Sequence, residues 1–171
     1  MQSLNGTILD ATALIDFCYL KEWAWLQQRY SPLYIAQELL DSDQLELPTR
    51  LAANQYLTPL NLSTEEMFAS FLEFGESSSL LSIADRSTIA IPRHQLLICA
   101  SDDGLVIETC KVYNIAYTRT LRLLTEMVEA EHKTVIEVMA MANKLIQERG
   151  KHISAKVLTD WRTSLQKYSA G

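Results

Sequence analysis

Two short apolar runs in this chain, Gly6-Thr7-Ile8-Leu9 and Leu96-Leu97-Ile98-Cys99-Ala100, run directly into acidic residues: Asp10 after the first, and Asp102-Asp103, behind Ser101, after the second. A segment with helical spacing of its apolar residues follows each of them. In a parallel α/β sheet the carboxyl ends of the strands border the crevice where ligands bind, so acids from distant parts of the sequence converge there. Converging carboxylates are hard oxygen ligands, suited to a divalent cation such as Mg²⁺.

Each of these acids also has a plainer use. An Asp just after a strand caps the next helix by accepting an orphan backbone N–H, and Thr12 stands where it can orient the Asp10 carboxylate. Ser101-Asp102-Asp103-Gly104 has the composition of a cap and turn. Two adjacent carboxylates exceed what a cap needs, because like charges this close raise one another's pKa unless a cation or donor offsets them. Gly75-Glu76 supplies a third acid, at an expected helix start where the macrodipole favours it; Asp85 competes for that place, and Glu76 is preferred. His94, His132 and His152 show no paired metal-ligand spacing. No glycine-rich phosphate loop, nucleophile elbow or zinc motif is present in the sequence.

The elements that must position these acids follow from periodicity. Thr7-Ile8-Leu9 reads as a strand and residues 10–17 as the helix after it, with helical spacing continuing over 21–30 until Ser31-Pro32. Leu33-Tyr34-Ile35 is a short strand, 36–43 a helix, and 56–62 another strand reached by an irregular crossing at Pro48. Ser63-Thr64-Glu65-Glu66 reads as a capping box opening a helix to about Phe74, which Gly75 ends. A new helix starts at Glu76 and stops at Pro92; residues 96–100 form a buried central strand, 104–113 a helix and 115–117 a last short strand. Helices over 121–131, 135–149 (closed by Gly150) and 154–168 complete the chain. The alternation implies a parallel-sheet α/β/α sandwich over residues 1–131 with a C-terminal helical extension over 132–171 packed on it.

The 171 residues suffice for one real core, and 48% hydrophobic with 21% charged residues is ordinary for a globular protein. The N-terminal stretch lacks the pattern of a signal peptide and no run reaches the length of a membrane span, so no membrane association and a cytoplasmic location are expected. Cys18, Cys99 and Cys110 lie in apolar segments without C-x-x-C spacing, as buried free thiols do. The net charge of −6 argues against a broad electrostatic grip on nucleic acid, although a cation held at an acidic site changes the local sign. Trp23 and Trp25 are too close in sequence to share one helix face, so one is expected to be partly exposed.

Taken in order, Ile8-Leu9-Asp10-Ala11-Thr12-Ala13-Leu14-Ile15, Gly75-Glu76, Leu97-Ile98-Cys99-Ala100-Ser101-Asp102-Asp103-Gly104 and Ile115-Ala116-Tyr117-Thr118-Arg119-Thr120-Leu121 resemble a PIN domain. Ala142-Asn143-Lys144-Leu145-Ile146 and Arg149-Gly150-Lys151-His152-Ile153-Ser154 resemble the helical tail of a prokaryotic branch related to VapC-type toxins. The resemblance implies an Mg²⁺- or Mn²⁺-dependent endoribonuclease, the toxin of a toxin–antitoxin pair, with RNA as substrate and an antitoxin protein as partner. By position, Asp10 matches the first acid, Glu76 the acid of the Gly-Glu motif and Asp102 the acid after the later strand. Ser101 matches the hydroxyl that commonly precedes that acid, and Asp103 the frequent second carboxylate.

The chain departs from the family pattern where a Glu-Leu pair is usual two helical turns after Leu33-Tyr34-Ile35-Ala36. Ser42 stands there, with Asp41 and Asp43 beside it and Glu38 one turn earlier. Either a neighbour, Asp41 first, substitutes or the site is incomplete. The spacing from Glu76 to Asp102 is also longer than the branch usually shows, which keeps Asp85 in play. A flexible single strand enters a narrow acidic cleft more easily than a duplex, and Lys111, Arg119 and Arg122 are candidates for flanking phosphates or, equally, solvated surface residues. Two alternatives stand beside the nuclease: a PIN-like binding or regulatory module with an incomplete site, and an unrelated α/β protein whose acids are helix caps. The helical C-terminal third can support a homodimer.

Overall fold

The computed structural model describes residues 4–169; residues 1–3, part of the stretch read above for a targeting signal, lie outside them. The chain divides into two compact units, Met1–Thr118 and Arg119–Gly171. The helix expected at the end of the α/β part thus belongs to the second unit.

Among the described residues of the first unit, five strands form one sheet in the order β3-β2-β1-β4-β5. They are β1 (Thr7–Leu9), β2 (Leu33–Ala36), β3 (Thr58–Leu60), β4 (Ile98–Ala100) and β5 (Tyr117–Thr118), and every pairing is parallel. The expected parallel α/β architecture is therefore present. The chain steps outward from β1 to β2 and β3, then returns past β1 to β4 and β5. That reversal makes the gap between the carboxyl ends of β1 and β4 a topological switch point. Leu9 lies opposite Ala100, so Asp10 and Ser101 emerge side by side from the sheet.

Right-handed crossovers put the helices of the outward steps on one face and those of the return on the other. The packing agrees. Helix α1 (Ala11–Leu20) lies against α4 (Leu47–Tyr56), whereas α6 (Ile83–Gln95) lies against α5 (Glu65–Ser77) and α7 (Gly104–Val112). Helix α6 also touches β1, β2 and β4 and the short helix α3 (Gln37–Leu40). Its buried Ala84, Ser87, Thr88 and Ala90 are small, which lets its axis lie close to the sheet. Because α6 runs antiparallel to the strand that follows it, its first turn stands at the carboxyl edge of the sheet. The core between these layers contains Ile8, Leu14, Phe17, Ile35, Phe74 and Cys99, all fully buried.

Several local expectations are corrected. Pro92 does not end α6, which continues to Gln95; the ring is buried, and the helix forgoes the one backbone bond Pro cannot donate. Residues 76–82 do not begin that helix; Ser82 caps it, its hydroxyl accepting from the Asp85 N–H at 3.0 Å. Gly75 lies inside α5 and does not end it; a Cβ there would meet the Arg86 guanidinium at 2.8 Å. Thr64 caps α5, accepting from the Met67 N–H at 3.1 Å, while Ser63 turns to the Met67 sulfur. Pro48 opens α4, because a proline in the first turn lacks only an N–H that would be unbonded anyway. Both Trp23 and Trp25 in α2 (Trp23–Tyr30) are buried. Trp23 stacks on Tyr56, and Trp25 meets Tyr30 edge-on.

In the second unit α8 (Thr120–Glu129) packs on α9 (Val135–Arg149), and α10 (Ala155–Leu165) ends in a 3-10 turn, Gln166–Tyr168. Thr134 and Glu137 form a capping box at the start of α9, and Gly150, with φ of 66°, closes it as its sequence position suggested. The Trp161 indole donates to the Thr125 hydroxyl at 2.9 Å, tying α10 to α8. Among the described residues no helix is long and apolar enough to cross a membrane.

Arg50 braces the connection from α3 to α4. Arg50 donates to the carbonyls of Leu40, Ser42 (2.5 Å) and Leu45 (3.3 Å), satisfying acceptors left over where α3 ends. We expect Arg50→Ala to lower stability by about 1–3 kcal/mol, since half-buried carbonyls lose a charged donor, with urea denaturation as the measurement. A midpoint equal to that of the parent chain would show that water replaces the guanidinium at no cost.

Candidate functional site

Asp10 is the N-cap of α1, is 1% exposed, and accepts on both carboxylate oxygens. Its Oδ1 takes the Thr12 hydroxyl at 2.7 Å and the Ala13 N–H at 3.0 Å; its Oδ2 takes the Ser101 hydroxyl in a short hydrogen bond. Both hydroxyls work in two directions. Thr12 Oγ1 accepts from the Asp102 N–H at 2.8 Å, and Ser101 Oγ accepts from the Asp103 N–H at 3.0 Å. An amide can only donate, so each hydroxyl proton is committed to Asp10. The carboxylate is thereby connected through two side chains to two successive amides of the β4–α7 turn.

Burial raises the Asp10 pKa from 3.8 to about 6, against the three donors that favour its charged form, and the charge of Asp85 pushes in the same direction as burial. Asp85, in the first turn of α6, is itself raised, by burial first and then by the charge of Asp103, while its bonds to Ser82 hold it down. Three carboxylates from β1–α1, α6 and β4–α7 thus act on one another at the switch point. Asp103 caps α7, its Oδ1 accepting from Leu105 and Val106 N–H groups at 3.0 Å each. Asp102 stands half-buried beside it in the same turn.

Glu76 is not among the charges felt at Asp10. It is exposed in the last turn of α5, and Asp85 is the acid whose charge reaches Asp10. The sequence signal for Asp85 is the capping pattern Ser82-x-x-Asp85, which marks the start of α6.

The position expected to hold the second acid is structural. The Ser42 hydroxyl donates to the Leu39 carbonyl at 2.7 Å and accepts from the Gln44 N–H at 3.3 Å. Asp41 accepts from Gln37 at 2.9 Å and is exposed, as is Asp43. Glu38, in the first turn of α3, differs from all three: its Oε2 is buried with no hydrogen-bond partner. The loop is also linked to the start of α6, Gln44 Nε2 donating to Ser82 Oγ at 3.3 Å. Neither Gln44 nor Arg50 carries a periodic or motif signal, and sequence reasoning missed both.

The donor chemistry of the site, carboxylate and hydroxyl oxygens, is that of a hard cation. Among the described residues, however, no three His, Cys, Asp or Glu side chains are grouped closely enough to hold a metal ion as they stand. Comparison with protein-family models, curated proteins and solved structures gave no match.

The sign of the pH effect follows from the Asp10 shift. A carboxyl with a folded pKa near 6 and an unfolded value of 3.8 contributes stability fully present below 3.8 and lost as pH rises through 6. The loss is on the order of 3 kcal/mol, from about two pKa units. In EDTA, urea unfolding between pH 4 and 7.5 should therefore show stability falling with pH through this window. Asp10→Asn, which accepts on one oxygen only, should be less stable at acid pH and lack that component, so the gap between the two proteins narrows as pH rises. Parallel curves would remove the buried-acid assignment.

Proposed function

We propose that this chain is a divalent-cation-dependent nuclease that hydrolyses RNA phosphodiester bonds. The supporting observation is the buried Asp10 carboxylate at the switch point of a parallel sheet, perturbed by Asp85, which is in turn perturbed by Asp103. Perturbed acids at the ligand-binding edge of such a sheet make that edge the candidate functional site. Asp10, Asp85 and Asp103, with Asp102 adjacent, would hold Mg²⁺ or Mn²⁺, drawn closer together than they stand in the structure. A cation held there would supply a water of lowered pKa and offset negative charge on the phosphate.

The residues themselves have distinct tasks in this reading. Thr12 and Ser101 fix the plane of the Asp10 carboxylate, and Asp103 fixes the start of α7. The Ser101 bond leaves Oδ2 of Asp10 able to accept once more. The likeness of the C-terminal segments to VapC-type toxins adds the proposal that a protein antitoxin silences the activity.

A second reading, a PIN-like binding module without catalysis, is favoured by Ser42, whose hydroxyl is spent on the α3 turn, and by the separation of the acids. Incubation with unstructured RNA and Mn²⁺ discriminates. A nuclease cleaves it, and Asp10→Asn and Asp85→Asn each lower the rate by at least roughly 100-fold, while Glu76→Gln stays close to the parent. RNA binding without cleavage at any Mn²⁺ concentration supports the binding module instead.

A further inference from the structure

We infer that the lip of the carboxyl edge formed by residues 41–51 and 80–83 docks a helix of another protein, one that is apolar along one face and carries Lys and Arg beside it. The inference is independent of whether the acids at that edge catalyse a reaction. Helix α4 leads into β3 and runs antiparallel to it, so its first turn, like that of α6, stands at the carboxyl edge. The approaches to these two helix starts are joined there, Gln44 Nε2 donating to Ser82 Oγ at 3.3 Å.

Large apolar side chains follow on both sides of that bond. Leu47 and Leu51, one turn apart on α4, and Leu80 and Ile83, at the start of α6, are each more than half exposed. Within the same two segments Leu45 and Leu81 are buried, and Arg50 braces the first, so the exposed side chains are presented from an anchored backbone. A single exposed apolar residue needs no explanation, whereas a group of them with a polar rim marks an interaction surface.

The rim specifies the charge of the partner. Asp41, Asp43 and Glu46 lie exposed before Leu47, and Glu76 lies exposed before Leu80. Between Arg29 and Arg86 the only Lys, Arg or His is Arg50, whose guanidinium is spent on backbone carbonyls. A nucleic-acid strand or an anionic lipid surface would meet like charge here, with no cation of the protein to hold it. A second copy applied face to face would set the same acids against one another. A helix bearing Lys and Arg reverses the sign, and apolar residues three and four apart on it match the spacing of Leu47 and Leu51.

Selection of randomised helical peptides, displayed on phage, against the full chain tests this without fixing the partner's sequence in advance. Enriched peptides carry Lys and Arg next to apolar residues at helical spacing, and once synthesised they bind less tightly as salt rises. Leu47→Ser and Ile83→Ser each weaken that binding by tenfold or more, and Asp43→Asn combined with Glu46→Gln weakens it and flattens its salt dependence. Val112→Ser and Ile136→Ser, exposed apolar positions outside the lip, bind as wild type does. Every substituted side chain is exposed, so each variant keeps the wild-type Tm; Leu51→Ser and Leu80→Ser take the place of any that does not. Enrichment of acidic or uncharged peptides, no enrichment at all, or binding that survives the Leu47 and Ile83 substitutions overturns the proposal. So does a dimer in sedimentation that Ile83→Ser dissociates, which gives the lip to a second copy, or RNA binding in EDTA that Leu47→Ser and Ile83→Ser abolish, which gives it to nucleic acid.

Discussion

The carboxyl edge of the sheet is organised around one buried carboxylate. Asp10 accepts from two hydroxyls, Thr12 on its own turn and Ser101 on the neighbouring strand end, and those hydroxyls in turn accept from the amides of Asp102 and Asp103. Removing any member leaves a donor or acceptor unpaired in a buried setting, where each unpaired group is costly. The start of α1, the end of β4 and the start of α7 are therefore held by one network. The acids that cap these helices are also the acids that meet at the switch point. Capping and ligand chemistry are thus not exclusive here: Asp103 caps α7 with Oδ1, and Asp10 caps α1 with Oδ1 while Oδ2 faces Ser101.

Where sequence reasoning succeeded, the physical signal was local. Thr7-Ile8-Leu9 and Ile98-Cys99-Ala100 are buried strands because continuous apolar runs too short for a helix suit the middle of a sheet covered on both faces. Asp10, Ser101 and Asp103 were legible because each follows directly on such a run. The helices closed by Gly150 and opened by Ser154 carry standard end signals and stand where these placed them. The errors came from residues whose local meaning is overridden by packing. Pro92 and Pro48 sit within helices, one buried in a last turn and one in a first turn, and Gly75 lies inside α5 against the Arg86 guanidinium. No single-sequence pattern distinguishes a glycine that ends a helix from one that admits a neighbour's guanidinium.

Because Gly75 lies inside α5, Glu76 falls in the last turn of that helix and Asp85, not Glu76, is the acid of a helix's first turn.

A purely structural account of the acids meets an energetic difficulty. Two hydroxyls that must donate do require a partner accepting on both oxygens, which Asp provides and Asn does not. Yet apolar side chains at positions 10, 12 and 101 would fill the same space without burying a charge, and such replacements of buried polar networks are often neutral or stabilising. Burial also lifts Asp10 to a pKa near 6, so at neutral pH its charge opposes folding. A charge held against the interest of stability belongs where something else compensates it, and the edge at which Asp10 lies is the one where an α/β sheet receives its ligands.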